Sequence, residues 1–425
     1  MSGAERREKY RDWKDRVLER YMEHDQVGAY NLHEDDNAFY VKDQVVVHRR
    51  AVGSVEGRLS RFGARRVSPT IELTKSFRAW SLPDFDDDGN DAVFVFDPSR
   101  GVNVVEFAYD PPGRSVPGVE LNHIVTGFQR RTGWPDGDPE PAPRSLPRMP
   151  LPRPTAGAGV RVAIVDTGYP ARNRYRNESG WFAPGDSDEV HGWDQVDEDR
   201  DGYLDIEAGH GLFVGGVIRR IAPSAKLVHL KALNSDGVGT ELGVADAIRQ
   251  AVGRGVQIVN LSLGFYSLKD VTPEGVAATT AAAREAGIAV VAAAGNDGLS
   301  DPAFPAALPD VIGVGSVSAD RDGLADFSNR GDWVDVAAPG ERVQSTYVGG
   351  REDPRLTLDS GSDVFRDTAI WSGTSFACAA VTGHLAAALS QADGGASPVE
   401  RARAIIAELP VLDGVTRRLD PVYAF

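Results

Sequence analysis

The chain has 425 residues, of which 41% are apolar and 25% charged, and it carries a formal charge of −16 at neutral pH. That length exceeds one small core and fits a large enzyme domain joined to a smaller N-terminal one. The negative charge repels phosphate backbones and anionic lipid, which argues against nucleic acid or a membrane as the main partner and favours divalent cations.

The first 24 residues, MSGAERREKYRDWKDRVLERYMEH, interleave acids and bases and lack the apolar core of a secretory leader. Within them Tyr10, Trp13, Val17, Leu18 and Tyr21 recur at helical spacing, which predicts a short amphipathic packing helix over 5–24. No later run is long enough to span a bilayer. The lone cysteine, Cys378, has no intramolecular partner for a disulfide. A cytoplasmic protein is the expectation from these features.

From Tyr40, YVKDQVVVHR reads as a strand, VGSVEGRLSRFG as a helix ending at a glycine, and VNVVEFAYD as another strand. A small α+β N-terminal domain over residues 1–145 follows. The prolines of DGDPEPAPRSLPRMPLPRPTAGAG forbid continuous helix or central strand, so residues 146–158 read as an extended linker. Beyond it, VRVAIVDTG, AKLVHLKAL, VQIVNLSLG and IAVVAAAGN alternate with helical stretches such as ELGVADAIRQAVGRG and TPEGVAATTAAAREAG. The alternation predicts an α/β domain over 159–425 with a mainly parallel sheet flanked by helices.

In such sheets functional groups gather beyond the carboxyl ends of the strands. Asp166 stands there, after RVAIV and before Thr167-Gly168, although a cap or turn former would also sit at that point. His210 lies between Gly209 and Gly211, where close approach of backbone is permitted; a buried, hydrogen-bonded histidine is the plainer reading. Ser375 follows Gly373-Thr374 at the start of a helix of small residues. It can act as an N-cap or as a nucleophile beside the positive end of the helix dipole. Asn296, after VVAAAG, can donate to an oxyanion or hold a left-handed turn.

These segments, in the order Asp, His, Asn, Ser, resemble the subtilisin-like serine peptidase family. The resemblance spans about 158–410: DTG at Asp166, HG at His210, NLSLG at 260–264, AAAGN at 292–296, FPAALPDVIGVGSV at 304–317, FSNRGDWVDVAAPG at 327–340 and GTS at 373–375. It implies a three-layer subtilisin-like fold and a serine endopeptidase in which Ser375 attacks, His210 relays the proton and Asp166 orients the imidazole. Asn296 and the Ser375 N–H would then hold the oxyanion. Extended polypeptide would add as a strand to Ser262-Leu263-Gly264, with Asp236-Gly237 on its other side. The small pocket wall at Ala294-Gly295 implies an apolar or medium-sized residue before the scissile bond.

Two stretches depart from the family pattern. Leu212, Phe213 and Gly215-Gly216 replace the Thr-His and Ala-Gly that usually follow the catalytic His-Gly, and Phe376-Ala377-Cys378-Ala379-Ala380 replaces Met-Ala-x-Pro-His. A peptide-binding pseudoprotease is the alternative these departures raise.

Asp197, Asp199, Asp201 and Asp205 form alternating carboxylates around Gly202, a pattern that can wrap Ca²⁺ as a structural ion, or be a solvated acidic turn. Asp84, Asp86, Asp88 and Asp91 repeat the theme in the N-terminal domain. That domain and its linker resemble the family's propeptides; a retained, partner-binding domain is the competing expectation.

Overall fold

A computed structural model describes residues 27–30, 38–47, 49–67, 92–95, 104–110, 114–115, 119–127, 138–142, 153–170, 189–320, 322–355, 363–391, 395–413 and 416–419. The helix expected over 5–24, the acidic run 84–91 and the boundary at residue 145 lie outside them.

The N-terminal region builds β1 (Val27–Tyr30), β2 (Ala38–Val47), α1 (Arg49–Arg61), β3 (Arg65–Val67), β4 (Ala92–Val95), α2 (Val104–Ala108) and β5 (Val119–Thr126). Alternate residues Val45 and Val47 on β2, and Val119 and Leu121 on β5, share one apolar face with Val55 and Leu59 of α1. Among its described residues, the segment VNVVEFAYD, expected to be a strand, is helical over Val104–Ala108 and extended at Tyr109–Asp110. Val104, Val105 and Ala108 all enter that same core, as one helical face allows, and this burial overrides the β propensity of the valines.

The second region continues with β6 (Glu140–Pro141), β7 (Arg161–Asp166), β8 (Glu189–His191), α3 (His210–Ile221), β9 (Lys226–Lys231), β10 (Val238–Thr240) and α4 (Glu241–Gly253). There follow β11 (Ile258–Leu261), α5 (Glu274–Glu285), β12 (Ala289–Ala293), β13 (Val311–Val317), β14 (Val336–Pro339), β15 (Val343–Thr346) and β16 (Thr368–Trp371). The last elements are α6 (Thr374–Leu389), α7 (Pro398–Ala407), β17 (Val411–Asp413) and β18 (Thr416–Arg418).

Nine strands form the main sheet in the order β8-β9-β7-β11-β12-β13-β14-β18-β17, parallel except for the final pair. The central runs are mainly apolar because both faces are covered. On β7, Val162 and Ile164 face a core shared with α3, α6 and α7, while Ala163 and Val165 face one shared with α4 and α5. Two helical layers therefore sandwich the sheet, and no helix among the described residues is long and apolar enough to cross a membrane.

Strand pairing crosses the boundary expected from sequence. Glu140–Pro141 joins β16 of the large region, and β5 joins β10 in an antiparallel sheet with β2, β4 and β3.

Candidate active site

The four candidate residues converge where the parallel strands end. Asp166 is the last residue of β7, and Asn296 follows β12 by three positions. His210 opens α3, and Ser375 lies in the first turn of α6. All four are buried.

His210 Nδ1 lies 2.8 Å from Asp166 Oδ1. A carboxylate only accepts, so Nδ1 carries the proton and Nε2 is the nitrogen left for chemistry. Asp166 Oδ1 also accepts from the Thr167 N–H at 2.7 Å, so its turn-forming and imidazole-orienting roles coincide. Gly211 has to be a glycine: an added Cβ would lie 2.5 Å from the Gly168 carbonyl, beside the Asp166 side chain.

Sequence left Asp194 and Thr167 without a role, and the structure supplies one. Asp194, fully buried, accepts from Thr167 Oγ1 at 2.8 Å and from the N–H groups of Gly209 at 2.8 Å and Val196 at 2.9 Å. Thr167 Oγ1 in turn accepts from the Gly211 N–H at 3.1 Å. This cradle fixes both glycines that flank His210. Burial raises the Asp194 pKa, against the opposing pull of Lys231 and those donors.

Glu207 was also missed. It is buried, and its Oε2 stands 3.8 Å from His210 Nε2. Burial alone would lower the His210 pKa, but the Asp166, Glu207 and Asp194 carboxylates outweigh it and push the imidazole up to about 9.

Ser375 does not cap its helix. Gly373 is the N-cap residue, and the Thr374 N–H is met from outside the helix by Asn296 Oδ1 at 2.8 Å. The Ser375 hydroxyl instead donates to the Ser262 carbonyl at 3.3 Å, while Ser262 Oγ donates to the Ser375 carbonyl at 2.9 Å. Behind them Asn260 Nδ2 donates to Ser262 Oγ at 2.9 Å, and its Oδ1 receives Thr382 Oγ1 at 2.9 Å and Cys378 Sγ at 3.3 Å. A buried asparagine in mid-strand thus ties β11 to α6. Burial holds the Cys378 thiol protonated.

Because the Thr374 N–H can only donate, it fixes which end of the Asn296 amide is oxygen, and that Oδ1 also takes the Thr374 hydroxyl at 2.9 Å. Its Nδ2 lies beside Gly373, where an added Cβ would stand 3.4 Å away. Gly295, not Asn296, takes the positive φ of 104° that the turn requires.

The two departures from the family pattern touch one another. Phe213 packs on Phe376 with ring centroids 4.4 Å apart, and both pack on Trp371. Trp371 meets His210 edge-on at 5.3 Å, and Phe376 lies 5.6 Å from it. Trp371 and Phe376, on either side of Ser375 in sequence, therefore both pack on the imidazole.

The expected substrate groove is filled by the chain's own β5. Thr126 N–H donates to the Gly264 carbonyl at 3.0 Å, and the Gly264 N–H donates back at 2.9 Å. On the other edge Thr126, Val125 and Ile124 pair with Val238, Gly239 and Thr240, and the Gly127 N–H reaches the Gly237 carbonyl at 3.1 Å. Gly264 on one edge, and Gly237 with Val238–Thr240 on the other, thus flank β5, both antiparallel to it. Ala294 and Gly295 are buried, with the Gly295 N–H held by Thr374 Oγ1 at 3.0 Å. Further back, His123 Nδ1 meets Glu241 Oε2 at 2.9 Å, and Glu120 takes the Glu274 N–H at the start of α5.

Of the four acidic-loop residues, Asp197, Asp199 and Asp205 bring carboxylate oxygens within 4.8 Å of one another. Asp201 does not join them, because its carboxylate pairs with the Arg355 guanidinium.

A model of the subtilase family matches residues 157–413. The chain belongs to this family. Over 205 residues it is 36% identical to a thermophilic serine proteinase of Bacillus sp. (strain AK1), a match covering 46% of this chain and 47% of that protein. It is 33% identical over 203 residues to subtilisin BL of Lederbergia lenta, covering 45% of this chain and 68% of the relative. Thermitase of Thermoactinomyces vulgaris is 34% identical over 201 residues, or 45% of this chain and 66% of thermitase. The chain thus spans about half the length of the first of these relatives. The protease domain of PatA shares the fold, with a TM-score of 0.50 at 24% identity over 63% of this chain and 94% of that domain.

Proposed function

We propose that the protein is a serine endopeptidase that cleaves extended polypeptide through an acyl-enzyme on Ser375. The observation that carries this reading is the 2.8 Å His210–Asp166 pair, set at the first turn of the helix that bears Ser375. His210 Nε2 takes the hydroxyl proton as Ser375 Oγ attacks the carbonyl carbon, and returns it to the leaving amine; water then repeats the cycle to free the acid. Asn296 Nδ2 and the Ser375 N–H are the donors for the oxyanion. The pseudoprotease alternative is disfavoured because the substituted residues repack against each other and leave the four reacting residues together.

The N-terminal region acts as a propeptide whose last strand lies in the groove. A peptide that continues the antiparallel Thr126–Gly264 register would set the residue two places beyond the Thr126 position opposite Ser262, whose carbonyl receives the Ser375 hydroxyl. The first self-cleavage therefore falls between Phe128 and Gln129, not in the proline-rich linker. The carboxylates of Asp197, Asp199 and Asp205 are hard oxygen donors suited to Ca²⁺, which would brace the loop leading to His210.

A fluorophosphonate probe tests the activated serine, with Ser375→Ala as control, and mass spectrometry of the same samples maps the cut. Labelling of wild type alone, with an N-terminal fragment ending at Phe128, is the expected result. Absence of both, even after removal of the N-terminal region, would overturn the reading in favour of a peptide-binding protein.

A further inference from the structure

The side chain of Glu207 lies against Gly127 of the resident strand and Gly237 of one groove edge. A Cβ added at Gly127 would stand 2.9 Å from the Glu207 carboxyl carbon and 3.0 and 3.1 Å from its oxygens, and one added at Gly237 would meet the Glu207 stem. The Cβ direction at position 127 thus points at the carboxylate. Gly127 precedes Phe128, so a substrate lying as β5 lies would direct the side chain of its penultimate acyl-side residue there.

The charges facing this point are mainly of one sign. Asp166, Asp194 and Glu207 are buried around His210, and Asp236 is buried next to Gly237. Lys231, the cation beside Asp194, is engaged by Glu198 Oε1 at 3.4 Å and the Thr167 carbonyl at 3.2 Å. A cationic side chain entering at position 127 would gain a charge-assisted bond to Glu207, whereas an acidic one would be repelled.

The geometry points to Glu207 as a specificity determinant that selects lysine or arginine at the residue preceding the scissile one. This rests on the endopeptidase reading and on β5 marking the substrate path. The carboxylate is the far end of a flexible side chain, so it can turn aside to admit a long side chain, and Gly127 lets the resident strand occupy the groove without that contact.

The test uses peptides of the form Val-Thr-Xaa-Phe followed by a chromogenic leaving group, with Xaa as Lys, Arg, Met or Glu, and compares wild type with Glu207→Gln. Charge-assisted bonds predict a kcat/KM for Lys roughly ten- to hundredfold above that for Met in wild type, collapsing to within about threefold in Glu207→Gln. The same contact is read in the full chain by the labelling rate of Ser375. Gly127→Lys should slow labelling relative to Gly127→Met, and Glu207→Gln should abolish the difference. An active, labelled enzyme that treats Lys and Met alike, or whose preference survives Glu207→Gln, overturns this inference alone. Loss of hydrolysis and labelling throughout overturns it together with the endopeptidase reading.

Discussion

Replacing Thr126 by proline tests whether β5 closes the active site. The backbone N–H of Thr126 donates to Gly264 at 3.0 Å in the middle of a three-strand arrangement, and proline removes that donor while the Gly264 carbonyl stays in place. A buried acceptor left without its donor costs about 1–3 kcal/mol, which raises the strand-out population roughly 5- to 150-fold. Ser375 is only 2% exposed, and the prediction is that the probe reaches it when the strand leaves. The second-order rate of fluorophosphonate labelling, measured on intact chain, should rise by that factor. Thr126→Ala keeps both backbone bonds and should label within about twofold of wild type. If Thr126→Pro, still folded by circular dichroism, labels no faster than Thr126→Ala, then β5 does not gate the site.

The carboxylates around His210 set a pH dependence: with a pKa of about 9 the imidazole is neutral in about one molecule in a hundred at pH 7, so labelling should climb roughly 50-fold from pH 7 to 9. A profile that levels off near pH 6.5 would refute this. Because the folded state holds that proton more tightly than the unfolded chain, the histidine's contribution to stability is full below about pH 6.5 and is lost as pH rises through about 9. Asn260→Ala leaves the Thr382 and Ser262 hydroxyls short of a partner and opens a small cavity, which should cost about 3–5 kcal/mol in urea unfolding. Asn260→Asp keeps the acceptor for Thr382 but buries a carboxylate and loses the donor to Ser262, so it should cost at least as much. For the acidic loop, isothermal titration should show Ca²⁺ binding weakened at least tenfold by Asp197→Asn but little changed by Asp201→Asn, whose carboxylate belongs to Arg355. Equal loss in both variants would contradict the geometry.

Much of the large α/β region was legible in the sequence, because its central strands are mainly apolar runs, with Asp166 ending one and Asn296 three residues beyond another. RVAIVD, IVNL and AVVAA pack on both faces, so their hydrophobicity alone specifies central parallel strands. The positions of Asp166, His210, Asn296 and Ser375 were readable from the short motifs that surround them. Local pattern misjudged VNVVEFAYD, where valines prefer strands in isolation but one helical face was needed to fill the core over β2 and β5.

Tertiary structure alone decided which distant groups share a site. Glu207 carries no motif, and its importance arises only when folding brings Gly127 and Gly237 against it. Asp194 and Asn260 look like ordinary polar residues until burial forces each to collect hydrogen bonds from segments far apart in the chain. Asp201 fits the acidic pattern as well as its neighbours do, yet the arrival of Arg355 takes its carboxylate away from them. That β5 lies in the groove depends on pairings between residues over a hundred positions apart, which the period of a single strand does not encode.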